Sequence, residues 1–460
     1  MKTIHKILLL TALLSTALTT QAQNFRFVDP AATGNGSGTS WANAFTDLQT
    51  ALSSVGTGTQ IWVKQGTYKP GTATNSRFYL PNGVALYGGF DGTETQLNER
   101  DWVAHPTILS GDIGTPGLLS DNVWHVVVNH SSVTDSRNRL DGFTVTGGNG
   151  AGSSWHNQGG GMYLAGYLKV VNCRIVGNGA TGKGAGVSIV ATTNAEAEFI
   201  NCVFEDNHAA IGGAITVETI SKLSVTNCTF FNNTSTQNVG QSVYLKGSNG
   251  SFYNSIFWSG NGTQHEVHAL ATGADMDYCI VKGNLPTTLN VSNSSTSDPQ
   301  FITGTLTFAN TSPAFDAGSN AYVNEIFDLS GNQRTVGGSV DIGAYETGTP
   351  PNQGNVLRVC PSATGIGDGL SWPNAFTDLH EALTAASLMS GNVSIWIKQG
   401  NYAHTLNSAG NPPTKPNDAV IKVAANTTLY GGFFGNELLE TDRDPALYPV
   451  TIDGRLLPGS

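Results

Sequence analysis

The dipeptide Asn-Cys returns through the middle of the chain at near-constant intervals, and that period limits what the chain can fold into. Asn172-Cys173 is followed by Asn201-Cys202, Asn227-Cys228, Asn254-Ser255 and Tyr278-Cys279, in steps of 29, 26, 27 and 24 residues. A period of this length suits one coil of a parallel β-solenoid, in which equivalent residues of successive coils stack about 4.8 Å apart. Aligned on the dipeptide, Val170, Phe199, Val225, Phe252 and Met276 share one column, and Ile175, Phe204, Phe230, Phe257 and Val281 share a second. Both are expected inside. A third column, Asn178, Asn207, Asn233 and Asn284, suits a turn where amides bond along the axis and the backbone can enter the left-handed region. Gly160-Gly161, Gly184, Gly186 and Gly212-Gly213 mark another bend, where a missing Cβ lets coils approach.

Composition points the same way. Charged residues make up 12 % and glycine reaches 56 residues, a balance of short strands and many turns rather than of a disordered chain. The expected fold is all-β: a right-handed, single-stranded parallel β-helix. Its open end needs a cover. Trp41, Ala44, Phe45, Leu48, Ala51, Leu52 and Val55 fall at helical spacing and predict one capping helix.

A longer repeat overlies the short one. Ser40-Trp41-Ala42-Asn43-Ala44-Phe45 returns as Ser371-Trp372-Pro373-Asn374-Ala375-Phe376, Ile61-Trp62-Val63-Lys64-Gln65-Gly66 as Ile395-Trp396-Ile397-Lys398-Gln399-Gly400, and Leu86-Tyr87-Gly88-Gly89-Phe90 as Leu429-Tyr430-Gly431-Gly432-Phe433. The expected organisation is a signal peptide over 1–22, a β-helix over 24–346, a linker over 347–354 and the first part of a second, incomplete β-helix over 355–460. A second copy that stops this early suggests a fragment or an incomplete gene product. The leader is read from Lys2 and Lys6, the apolar run Ile7 to Leu18, and the small-residue site Thr20-Gln21-Ala22. A formal charge of −11 disfavours nucleic-acid binding.

Two motifs carry a family resemblance. Phe204-Glu205-Asp206-Asn207, followed by Gly212-Gly213-Ala214-Ile215, resembles the paired repeats of polymorphic outer-membrane autotransporter adhesins. Ser312-Pro313-Ala314-Phe315-Asp316-Ala317-Gly318, then Asp328-Leu329-Ser330-Gly331-Asn332 and Arg334, closes on Asp341-Ile342-Gly343-Ala344-Tyr345-Glu346. That sequence is similar to the choice-of-anchor Q domain of bacterial right-handed β-helix surface proteins. The resemblance implies export to the cell surface, with outer-membrane association through a region outside this sequence.

The same fold hosts pectate-lyase-like enzymes, which combine calcium-binding carboxylates with a basic residue of lowered pKa. The candidates for such chemistry are Lys222, Glu196 and Glu198. Coil alignment places Glu198 beside Lys169 and Glu196 beside Lys222, which reads as cross-strand charge pairing on the outer face. Glu205 and Asp206 are the candidate calcium ligands; no other cofactor is expected. Asp112, with Trp124 and His125, forms a further polar cluster, and His265 and His268 lack a standard zinc spacing. Cys173, Cys202 and Cys228 read as buried thiols in one column rather than as disulfides. Trp155, Tyr163, Tyr167, Tyr244 and Trp258 are candidates for stacking on sugar rings. Two functions follow. The favoured one is a non-catalytic adhesin or glycan-binding scaffold whose partner is a polysaccharide or host glycan. The alternative is a polysaccharide lyase or hydrolase, which would require Lys or Arg to converge with two or more carboxylates over a groove.

Overall fold

Between the first and second sheets of each coil the chain turns on a single left-handed residue. Asn172, Asn201, Asn227, Asn254 and Tyr278 all have φ between 47° and 52°. Asparagine tolerates this conformation because its short amide bonds locally, so the left-handed column is that of the Asn-Cys dipeptide and not the third asparagine column. The computed structural model describes residues 24–129, 138–190, 195–218, 221–246, 249–260, 265–270, 273–332, 334–335, 339–347 and, with short gaps, 355–403, 421–437 and 440–453. The proposed leader over 1–22 lies outside the described residues. Residues up to Thr347 form one unit and those beyond it a second.

In the first unit, one coil runs through Val187–Val190, Glu196–Ile200, Val203–Glu205 and His208–Ala209 before Ile215–Glu218 begins the next. Repetition builds four parallel sheets. The first has ten strands from Asn24–Val28 to Asn290–Ser292, the second eight, the third seven and the fourth four. All the pairings are parallel, in a right-handed parallel β-helix. Ile175, Phe204, Phe230 and Phe257 are register partners, and the three phenyl rings stack at 4.5 and 4.7 Å between centroids. Val170, Phe199, Val225, Phe252 and Met276 are likewise buried.

A ladder of asparagines and a bend of glycines run beside this core. Asn178 Nδ2 donates to Asn207 Oδ1 (3.1 Å), Asn207 Nδ2 to Asn233 Oδ1 (2.9 Å) and Asn233 Nδ2 to Ser259 Oγ (3.2 Å). The ladder ends on Ser259, which follows Phe257 by two residues where the asparagines follow their column by three; Asn284, expected in it, is exposed. Facing it, Gly159, Gly184, Gly212 and Gly240 open the bend with φ of 52–62°. A Cβ on Gly160 would fall 2.2 Å from Gly179 O and one on Gly161 2.5 Å from Gly186 O. These glycines therefore make room for the neighbouring coil.

All five cysteines are free and buried. The thiols of Cys202 and Cys228 donate to Ile200 O and Thr226 O, and Cys228 N donates to Ser255 Oγ at 3.1 Å, so serine replaces sulfur in the same column. Burial pushes the Cys173 and Cys279 thiols up to about 12. At pH 8 such a thiol is ionised in about one part in ten thousand. Native protein is expected to ignore iodoacetamide, whereas unfolded protein should take up five equivalents. Rapid alkylation of Cys173 or Cys202 in native protein, mapped by mass spectrometry, would refute the buried column.

The capping helix is shorter than its spacing suggests. It covers Leu48–Ser54, with the Asp47 carboxylate accepting from Thr50 N at 2.7 Å as its N-cap. Leu48, Ala51 and Leu52 close the core of the first coil. Trp41 and Phe45 mimic the 3.6-residue period for another reason. Phe45 N bonds Phe27 O (2.9 Å), and Trp41 packs on Phe27 and Phe90 outside the first sheet, where Trp62 stacks on Phe90 at 4.9 Å. The second unit repeats this arrangement: a helix over Leu379–Leu388, Trp396 stacked on Phe433 at 4.9 Å, and Trp372 donating to Glu437 O as Trp41 donates to Glu94 O. The three repeated sequence blocks are thus one packing unit. Among the described residues, no helix is long and apolar enough to cross a membrane.

The closing segment of the first unit, residues 299–347, lies along the outside of the helix. Phe308, Ala314 and Ile342 pack on Ile256 and Ile280, and Leu306, Leu329 and Ala344 on Val203. The asparagine column holds it. Asn254 exchanges two bonds with the Ser319 backbone, both 2.9 Å, and Asn201 Nδ2 donates to Phe327 O at 2.6 Å. Trp102 Nε1 reaches Leu329 O (2.9 Å), and Tyr322 stacks on Tyr253 at 4.0 Å while its hydroxyl donates to Asp277.

Candidate functional site

The lyase candidates do not form the expected constellation. Glu196 and Lys222 are register partners on the first sheet, as are Glu198 and Lys169. Yet Glu198 accepts from the Tyr167 hydroxyl (2.9 Å), and Lys169 turns to Glu325 (2.9 Å), because the closing segment brings a carboxylate within its reach. Glu205 is held by Arg174 at 2.7 Å rather than left to a metal, and Asp206, at φ 54°, accepts from the Asn232 amide across the coil.

Basic and acidic groups do converge elsewhere. Asp141, fully buried, takes Arg100 Nη2 and Arg139 Nη2 at 2.6 Å each, and Arg139 and Lys169 both reach Glu325. A lyase base must give up its proton. Burial disfavours charge on Arg139, but Asp141 and Glu325 outweigh it and hold the guanidinium protonated. The group therefore acts as an ionic staple that binds the closing segment to the coils. A second knot lies inside that segment: Arg334, fully buried, sits among Asp328, Asp341 and Glu346. Asp316, Asp341 and Glu346 bring three carboxylate oxygens within 4.8 Å of one another. Backbone N–H groups of Asp316 and Thr347 bind both Asp341 oxygens, and Asp341 N binds Glu346. The conspicuous residues of the closing motif thus serve its own folding.

The third sheet carries a different cluster. Tyr163 points outward between the buried Met162 and Leu164. A one-turn 3-10 helix over Ser154–Asn157 brings Trp155 and His156 beside it, with Trp155 4.8 Å from Tyr163. His125 Nδ1 faces Gly159 O at 3.0 Å, and a carbonyl only accepts, so Nδ1 carries the proton. Its Nε2 then accepts from His156 Nδ1 at 3.1 Å. Burial lowers His125 to about 4, keeping this pair neutral at pH 7. The His125 ring lies parallel to Trp155 at 4.9 Å, Trp124 packs on His156 at 4.4 Å, and the Arg77 guanidinium lies 5.8 Å from the Trp155 ring centre. Trp124, Trp155, His156, Tyr163 and Arg77 all retain partial exposure. The neutral imidazoles fix the indoles; the surface offers aromatic edges and one cation.

Of the five aromatic candidates, Trp155 and Tyr163 meet here. Tyr244 occupies the same outward column three coils on, after Ser188 and Thr216, and stacks on His268. Tyr167 belongs to the first sheet, and Trp258 to the second, beside Lys282. Asp112 does not join His125; its Oδ2 accepts from Gly117 N. Trp124-His125 and Trp155-His156 are identical dipeptides 31 residues apart, and this second short repeat is the signal that could have united the cluster.

No protein-family model matches this chain, and no curated protein matches its sequence. Its architecture is similar to a crystal structure of pectate lyase Pel9A, at 11 % identity over 71 % of this chain and 96 % of that chain, with a TM-score of 0.29.

Proposed function

We propose that this chain is an exported, non-catalytic β-helix protein of a bacterial surface that binds glycans through the third sheet. The grouping of Trp124, Trp155 and Tyr163 around a neutral histidine pair, with Arg77 alongside, carries this reading. Sugar rings pack their C–H faces on aromatic groups, and the rigid backing holds the rings ready without an ordering cost. The likeness of the closing motif to choice-of-anchor Q domains and of the repeats to autotransporter adhesins supports the surface location. A protonated Arg139 at the ionic staple weighs against the lyase alternative.

Glycan-array binding by the mature chain, followed by calorimetry on the best ligand, tests the proposal. Trp155→Ala should weaken binding at least tenfold, about 1.4 kcal/mol, with an unchanged circular dichroism spectrum. Parallel assays for unsaturated uronate absorbance and reducing ends should stay at background. Turnover lost on Arg139→Ala would replace this reading with the lyase.

A further inference from the structure

The loop from Asp112 to Asn122 projects from the early coils, its ends joined by Val123 N donating to Gly111 O at 3.0 Å. Two carboxylates are held within it by one oxygen each. Gly117 N donates to Asp112 Oδ2 at 2.9 Å, and Thr115 N donates to Asp121 Oδ2 at 2.8 Å. The other oxygens, Asp112 Oδ1 and Asp121 Oδ1, are shielded from solvent and receive no donor. Asn122 adds a third such atom. This residue is 2 % exposed; its Nδ2 is fixed on Gly147 O at 2.8 Å, and its Oδ1 receives nothing. A Cβ built on Gly147 would lie 3.5 Å from both Asn122 Nδ2 and Asp112 Cβ, so the Asn122 amide and the base of the Asp112 side chain border the same glycine. One built on Gly114 would fall 2.4 Å from Asp121 Cγ, so the loop closes directly over that carboxylate.

Shielded carboxylate oxygens without donors are costly unless a cation answers them. Among the described residues, neither Asp112 nor Asp121 forms an ion pair with lysine or arginine. The unanswered atoms are all hard oxygens, two of them anionic, and no sulfur or imidazole joins them. That donor set suits calcium rather than zinc or copper. We propose that Asp112, Asp121 and Asn122 form a calcium site, with loop carbonyls and water completing a shell of about six to eight oxygens. The ion would fix the loop that leads directly into Trp124 and His125, so it would set one edge of the aromatic cluster. The site stands whether or not that cluster binds glycans.

Terbium luminescence excited through the tryptophans, competed by calcium and checked by calorimetry, tests this on the mature chain after chelation. Wild type should bind, with calcium raising the melting temperature. The double variant Asp112→Asn, Asp121→Asn should lose at least tenfold in affinity, while Asp316→Asn, in the other acidic group, should leave it unchanged. Should the double variant fail to fold, Asp121→Asn alone, at a part-exposed position, serves the same purpose. No binding by wild type at millimolar calcium, unchanged affinity in the Asp112 and Asp121 variants, or loss on Asp316→Asn instead would each overturn the assignment.

Discussion

Phe230→Ala is expected to destabilise the first unit by about 3–5 kcal/mol, the range for removing a buried aromatic ring from a rigid core. Phe230 is stacked on both sides, by Phe204 at 4.5 Å and Phe257 at 4.7 Å, and is fully buried. Its neighbours are pinned by backbone ladders to a fixed coil spacing and cannot slide together to fill the hole. Denaturant titration followed by the signal of the first unit would measure the loss. A change below about 1 kcal/mol would show that the column can repack.

Glu266→Gln should instead stabilise the protein, by an amount that grows as pH rises above 4.5. Glu266 is buried beyond the end of the amide ladder, where its Oε2 accepts from Ser242 Oγ at 2.6 Å and Ser242 Oγ also meets Ser259 Oγ at 3.0 Å. Burial raises its carboxyl to about 7, against 4.5 in an open chain. Below pH 4.5 both states are protonated and the group contributes no pH dependence. Between pH 4.5 and 7 the unfolded chain loses its proton while the folded one keeps it, so stability falls as pH rises; above 7 the penalty is complete. It amounts to about 3 kcal/mol. The glutamine variant should therefore exceed wild type by up to that amount at pH 8 and converge with it near pH 4. Equal stability of the two proteins at pH 8 would contradict a buried, neutral carboxyl.

What the sequence reveals, and what it conceals, follows from the range of the contacts. Columns such as Ile175–Phe204–Phe230–Phe257 were legible because each member repeats at the coil period and touches only its neighbours. The closing segment was legible as a motif but not as a cover. Its bonds, such as Arg174 to Tyr345 and Trp102 to Leu329, join residues 171 and 227 positions apart with no period to announce them. The capping helix is shorter than its spacing predicts because Trp41, which serves an outer aromatic cluster, and Phe45, which packs on the core from a bridge to the first strand, both satisfy helical spacing. The pairing of Lys169 with Glu198 failed for a similar reason, since a distant carboxylate, Glu325, reached the lysine. Two of five aromatic candidates converge, because which outward residues share a face depends on the coil geometry, and the Asn-Cys period begins only at Asn172, after Trp124 and Trp155.

A solenoid whose coils touch only adjacent coils can fray from either end, one rung at a time. The segment over 299–347 changes that, since the same stretch is fastened at Trp102, Asn201, Tyr253, Asn254 and Asp277. Opening the last rung would require releasing a tie also fixed to an early one, so partial unravelling forfeits contacts at several levels at once. A row of nearest-neighbour units is thereby converted into a body that melts in a single step. Mechanical pulling on its ends would meet one high barrier in place of a series of low ones.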